Sequence, residues 1–294
     1  METNLANEIA EWTIEQDHCC YSDENRSVWQ KIIIMKHALF SQYSECIDPS
    51  YLAGFAKLGL DAEQIPTLNQ LNEALKPVSW SVICIDGYIT ASIYAKLIAK
   101  RIFPISRHIR SLEHIDHSPV PDFIHDVIGH LPMLFIPAYQ DYLSQIVACI
   151  NQAAGNQFDV ALFQAEMDIS NLKMQSNPDQ IKIEKILTNI SALHQELKKN
   201  PSELTHLNHM FLWSIEFGLF GTLDNYKCFG AGILSSQTET LAFCHRLRKV
   251  LTYSIDVIDY AISFTDTQSQ FFVIERCELL NNVLDQYIKH RKCK

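Results

Sequence analysis

Residues 121–132 read Pro-Asp-Phe-Ile-His-Asp-Val-Ile-Gly-His-Leu-Pro, with His125 and His130 five positions apart. Asp122 or Ser118 can cap a helix here, and Pro121 is tolerated in its first turn. At 3.6 residues per turn, a spacing of five leaves two side chains roughly 140° apart. A zinc-protease motif spaces its histidines by four and so keeps both on one face. For His125 and His130 to act together, the helix has to end or bulge between them. Gly129 is a suitable breaker and Pro132 stops any continuation. The expectation is His125 on a last helical turn and His130 in a loop that folds back. Alone, the pair also fits two ordinary histidines, one half-buried and one exposed.

Outward from this stretch the chain reads mostly as helix. Residues 26–45 carry apolar side chains at helical spacing, Asp48-Pro49 can open a second helix, and Thr67 can cap a third. Trp-Ser-Val-Ile-Cys-Ile at 80–85 is a short β-branched run that predicts a buried strand, and 90–103 returns to helix. Strands are expected within 251–260 and 270–274, and a final helix over 276–290. The predicted fold is therefore mainly α with a few short β-strands, in a single domain over residues 1–294. Residues 151–205 differ from their surroundings: they are polar, rich in Asn and Gln, and contain Pro178 and Pro201. Within them Ile183, Ile186, Ile190, Leu193 and Leu197 make a two-heptad stripe. It reads either as a surface helix resting on the core or as a seam between two copies.

Two further stretches bear on chemistry. Glu216 is the sole ionisable group in Met-Phe-Leu-Trp-Ser-Ile-Glu-Phe-Gly-Leu-Phe at 210–220. A buried carboxylate without a partner is unfavourable, so Glu216 has to meet Arg, Lys or a metal ion. Two histidines and a carboxylate with open positions are the donor set of non-haem Fe(II) oxygenases, and a zinc hydrolase can use the same types. Phe229-Gly230-Ala231-Gly232-Ile233-Leu234-Ser235-Ser236 is a small-residue turn whose backbone can approach a ligand or cap a helix.

Composition excludes other classes. The 294 residues are 47% hydrophobic and 20% charged, as in a folded domain, with a formal net charge of −10 that disfavours a nucleic-acid partner. Only nine residues are glycine, and no GxGxxG or GxxxxGK loop occurs. No apolar run is long enough for a membrane span. Nine cysteines, an odd number without a CxxC pair, fit reduced thiols in a cytoplasmic protein.

Taken in order, Pro121–Pro132, Ile215–Phe220 and Phe229–Ser236 resemble the pterin-dependent aromatic amino acid hydroxylases, most closely the bacterial phenylalanine hydroxylases. The resemblance extends to residues 12–18, 65–75, 80–89, 99–110 and the closing 271–275 stretch, and spares roughly 155–205. It implies a hydroxylase-like catalytic domain whose site is built from about 80–240, with 151–205 as a helical insertion. It implies a monooxygenase using Fe(2+), a tetrahydropterin (tetrahydrobiopterin or a bacterial analogue) and O2 on a small-molecule aromatic amino acid, first of all L-phenylalanine to tyrosine. Family roles fall on His125, His130 and Glu216 as iron ligands. Arg110 falls on the substrate carboxylate, with Asp122 orienting it. Ser118, Pro119, Phe217, Gly232 and Ser235 fall on the amino acid site. Tyr94 falls on pterin stacking above Gly87 and Ile89, and Asp126 faces the pterin.

Two departures from the family pattern stand out. Where the family carries a large aromatic four residues before the glutamate ligand, this chain has Leu212, followed by Trp213. And His130 and Glu216 are 86 positions apart, about twice the family's spacing. Loop closure grows slowly with length, so the ligand set can survive such an insertion. Leu212 leaves hydroxylation of tryptophan, or of another ring position, as alternatives. A metal-dependent hydrolase and an inactive binding homologue are more remote ones. The expected state is a monomer, or a dimer through the 183–197 helix.

Overall fold

The computed structural model describes residues 10, 12–16, 21–86, 89–116, 118, 121–173, 179–260, 262 and 267–292. Helix α1 (Asp23–Gln42) is held at its start by reciprocal hydrogen bonds between Ser22 and Asn25, and buries Val28, Trp29, Ile32, Ile33, Leu39 and Phe40. Helix α2 (Pro49–Leu58) starts at Asp48, whose carboxylate accepts from the Ser50 amide. Helix α3 (Leu68–Leu75) has the expected Thr67 cap, here a capping box with Gln70. These caps are the features that local side-chain chemistry determines on its own.

Around the first sheet the expectation needs a correction. The helix predicted over 90–103 is α4 (Ala91–Ala99), and it gives way to a strand, β3 (Ile102–Ser106), beyond Arg101 at φ 58°. The sheet runs β1 (Thr13–Ile14), β2 (Ser81–Ile85), β3, with β2 and β3 parallel and Ser81 opposite Ile102. Its position at the edge accommodates Pro104, whose missing N–H leaves no inner ladder bond unmade. The second sheet has the order β5 (Tyr226–Cys228), β4 (Gly218–Gly221), β7 (Gln270–Ile274), β6 (Lys249–Thr252). The strand expected over 251–260 stops at Thr252. Ser254 then accepts from the Asp256 amide and opens a 3-10 turn over Ile255–Asp259.

Helices α5 (Pro137–Gln152), α6 (Gln157–Lys173), α7 (Gln180–Lys199) and α8 (Glu203–Phe211) follow the histidine stretch. Then come α9 (Ala231–Ser235), α10 (Gln237–Cys244) and α11 (Glu278–Lys292). The predicted stripe on α7 closes against α6: Ile183 and Ile190 meet Ala165, Ile169 and Leu172, with Ile186 and Leu193 alongside. This cluster is separate from the main core, so α6 and α7 form a hairpin with packing of its own. Pro178, one of the expected bounds of the stripe, lies outside the described residues. No helix among the described residues is long and apolar enough to cross a membrane.

Candidate active site

The five-residue spacing of His125 and His130 is resolved by a π turn over His125–His130, followed by a 3-10 turn over Leu131–Phe135. The Leu131 amide bonds back to the Asp126 carbonyl, an i→i+5 closure that widens the turn and brings both imidazoles to one side. The expected bulge is therefore present, whereas the expected loop at His130 is not. Gly129 serves close packing and not termination: a Cβ there would lie 3.0 Å from the Ala231 carbonyl oxygen on α9. Tyr51 of α2 donates its hydroxyl to the Ile128 carbonyl at 2.7 Å, satisfying a buried acceptor in the turn.

Glu216 ends a second π turn, Leu212–Glu216, closed by the Phe217 amide on the Leu212 carbonyl. Strand β4 starts two residues later. The Nε2 atoms of His125 and His130 are 3.0 Å apart. Glu216 places Oε2 3.5 Å from the first and Oε1 3.1 Å from the second. All three ligand atoms lie within 4.8 Å of one another. The ion-pair partners of the Glu216 carboxylate among the described residues are these two imidazoles, so the bridge to Arg or Lys is not what this carboxylate makes. Burial alone would raise its pKa. The His130 and His125 rings and their hydrogen bonds outweigh that, and hold the carboxyl well below the usual carboxylate range. Three lone-pair donors converging on one point fit a divalent cation of the Fe(II) type.

Neighbouring groups fix these side chains. The Ser235 hydroxyl is 2.9 Å from His125 Nδ1, which sets which ring nitrogen faces inward. Asp122 accepts from the Arg110 amide, Nε and Nη2 at 2.9, 2.9 and 2.7 Å, and from the His125 amide at 2.9 Å. One carboxylate thus ties the guanidinium to the start of the π turn. Its burial favours the protonated acid, but the Arg110 charge and hydrogen bonds lower its pKa overall. Arg110 Nη1 is buried and has no hydrogen-bond partner among the described residues. Asp126 accepts from the Ser106 amide at 2.7 Å, joining the end of β3 to the π turn. Burial pushes its pKa up to about 6, against the pull of the two imidazoles.

One cavity of about 1080 Å³ is lined by His125, His130, Glu216, Arg110, Asp122, Ser118, Asp126, Tyr94 and Ile89. Phe217, Gly232 and Ser235 are not on its lining. Phe217 packs on the Trp213 ring, and Gly232 approaches the Glu216 carboxylate, a Cβ there lying 3.2 Å from Oε2. Gly87 and Pro119 lie outside the described residues. Leu212 lines the cavity. Trp213 is buried instead and donates Nε1 to the Tyr260 carbonyl at 2.8 Å, so its ring does not replace the missing aromatic. Sequence reasoning missed Tyr51 and Ser106, whose roles come from tertiary approach and leave no local signal.

The chain is similar to known proteins over most of its length. The sequence profile of the biopterin-dependent aromatic amino acid hydroxylases matches residues 10–160 and 190–293. The phenylalanine-4-hydroxylase of Caulobacter vibrioides is 25% identical over 276 residues, covering 93% of this chain and 78% of that protein. That of Chromobacterium violaceum is 24% identical over 238 residues, 81% of this chain and 64% of that protein, so the match spans slightly less than two thirds of the latter. The crystal structure of the Chromobacterium violaceum phenylalanine hydroxylase with oxidised Fe(III) superposes with a TM-score of 0.71 at 21% identity, covering 95% of this chain and 85% of that one. Its structure with iron(III) and 7,8-dihydrobiopterin gives 0.70, covering 96% and 88%.

Proposed function

The chain belongs to the biopterin-dependent aromatic amino acid hydroxylases, and on that premise we propose that it hydroxylates the ring of an aromatic amino acid, L-phenylalanine to tyrosine first. The observation that carries this is the convergence of His125, His130 and Glu216 in one cavity with Arg110. These three residues would hold Fe(II). An iron ion with a reduced pterin beside it supplies the two-electron activation of O2 that places one oxygen on a ring. Arg110 takes the substrate carboxylate through Nη1, the donor that Asp122 leaves free. Asp122 keeps the guanidinium plane fixed, and Ser235 keeps His125 Nε2 turned inward. Tyr94 and Ile89 line the side of the cavity assigned to the pterin. The apolar wall keeps water from the reacting ring.

A second reading, hydroxylation of tryptophan or of another ring position, is supported by Leu212 on the cavity wall while Trp213 is held away by Tyr260. The stripe on α7 is covered by α6, which supports a monomer over a dimer through that helix. The deciding assay supplies purified protein with Fe(II), a tetrahydropterin and each of Phe, Tyr and Trp. Oxygen uptake is followed, and products are resolved by mass and retention time. Tyrosine formed with matching oxygen consumption is expected. A metal-dependent hydrolase would consume no oxygen, and that result would end the reading.

A further inference from the structure

The cavity holding the triad and Arg110 extends to the α6–α7 hairpin, and residues 161–189 of that hairpin lie between the two stretches that the family profile matches. From α6 the cavity is lined by Asp159, Leu162, Phe163 and Glu166. At about 100° per residue these fall within an arc of roughly 100°. From α7 come Gln180, Ile183, Leu187, His194, Leu197 and Lys198, again within roughly 100°, along nearly the whole helix. Both helices therefore turn one coherent face to the site. A hairpin folded only on itself would show one face to its partner helix and the rest to solvent. Here Leu162 and Leu187 serve two surfaces, the hairpin's own cluster and the cavity lining. With Phe163 they are half-buried, which leaves apolar surface facing the space that Arg110 shares. A site with a fixed cation and an apolar wall is built for an amino acid carrying a large flat side chain.

We propose that the α6–α7 hairpin is the outer wall of the amino acid site, and that Leu162, Phe163 and Leu187 set the size of ring admitted. The inference rests on the hydroxylase reading above. It goes beyond that reading by placing specificity on a segment outside the family match.

The test uses full-length enzyme with Fe(II) and tetrahydropterin, and compares kcat/KM for Trp and Phe in Leu187→Ala and Leu187→Trp. Shortening the side chain should raise the Trp/Phe ratio, and enlarging it should lower it, each by about tenfold. The KM for the pterin and the iron content should stay unchanged. Because Leu187 also serves the hairpin's own cluster, Phe163→Ala repeats the test from a residue outside that cluster. Amide exchange over 180–197 should slow when L-phenylalanine is added to the anaerobic iron-loaded enzyme. An enzyme that turns over phenylalanine, with all three ratios fixed and exchange indifferent to the amino acid, overturns the wall and leaves the hydroxylase reading standing. A wild type that turns over no aromatic amino acid overturns that reading, and the wall with it.

Discussion

His125 shows how much one side chain depends on its neighbours. His125→Ala removes one of three protein donors, and stoichiometric iron in that variant would sink the triad. Ser235→Ala leaves all three donors but frees the ring, and iron affinity should fall about 10–100-fold, read by competition with a chelator. Arg110→Lys offers a point charge where Asp122 and the substrate carboxylate both use a planar fork. It should raise the KM for the amino acid at least about tenfold while the pterin KM moves little. Equal rises would make Arg110 a general structural residue. Lys36 offers a stability test away from these ligands. It is fully buried on α1, with Nζ 3.4 Å from Thr240 Oγ1 and 5.7 Å from the Phe40 ring centroid. Burial, with the Arg110 charge adding, lowers its pKa from 10.5 to about 7. Between pH 7 and 10.5 the unfolded chain then holds more protons, so this residue makes stability rise with pH across that window. Below pH 7 both states are protonated, and the folded state carries the full penalty of a buried charge. Lys36→Met should therefore stabilise by ~1–4 kcal/mol near pH 6, with a gain that shrinks toward pH 10. Urea denaturation at the two pH values decides it, and a gain independent of pH would mean that Lys36 is not buried charged.

Among the elements, the two π turns do the positioning, and they also mark where sequence reading stops. A spacing of five between His125 and His130 requires a bulge, and that much was legible. Whether the bulge is a loop or a wide turn depends on Tyr51 reaching the Ile128 carbonyl and on α9 packing against Gly129, contacts between segments far apart in the chain. Helices α2 and α3 were readable because their caps, Asp48 and Thr67, are local, and α1 was readable from its apolar spacing, while its Ser22–Asn25 start was not. Strand β3 was not, since Ala-Lys-Arg-Ile-Phe at 99–103 reads as the end of the 90–103 helix, and only pairing with β2 turns Ile102–Ser106 into a strand. Glu216 was singled out by its apolar surroundings, whereas the roles of Arg110 and Asp122 came from family resemblance alone. The second π turn is held from outside by Gly230, where a Cβ would sit 2.5 Å from the Glu216 carbonyl oxygen and 2.7 Å from the Gly218 amide nitrogen. Its φ of −63° suits any residue, so the constraint is contact and not conformation. Gly230→Ala should destabilise by ~1–3 kcal/mol and weaken iron binding as Glu216 is displaced. Thermal unfolding and metal content, measured on one preparation, check both. A variant with normal stability and full iron would show that the contact relaxes without moving the carboxylate.

At the scale of the whole molecule, the hairpin separates what holds the iron from what admits the substrate. Its apolar cluster is distinct from the main core, while its base is clasped by Thr205 on Asp159 at 3.0 Å and by Asn156 on the Asn200 carbonyl at 3.0 Å. A deletion of 161–195 with a short Gly/Ser bridge keeps both clasps and removes the rest. The triad stands on turns packed against α2, α9 and β4, none of which the deletion touches. Iron should remain stoichiometric, and unfolding should stay a single transition near the wild-type midpoint, because main-core side chains lose little cover. The cavity, however, becomes open on one side. The KM for the amino acid should then rise by about tenfold or more, and discrimination between Phe and Trp should weaken, since an apolar wall contributes on the order of 1–3 kcal/mol to such choices. Solution mass should fall only by the deleted residues, because the stripe on α7 is already covered by α6. A halved mass would make the stripe a seam between copies. Loss of iron from a still-folded deletion variant would place the hairpin in the frame that holds the ligands, and not in the wall around the substrate.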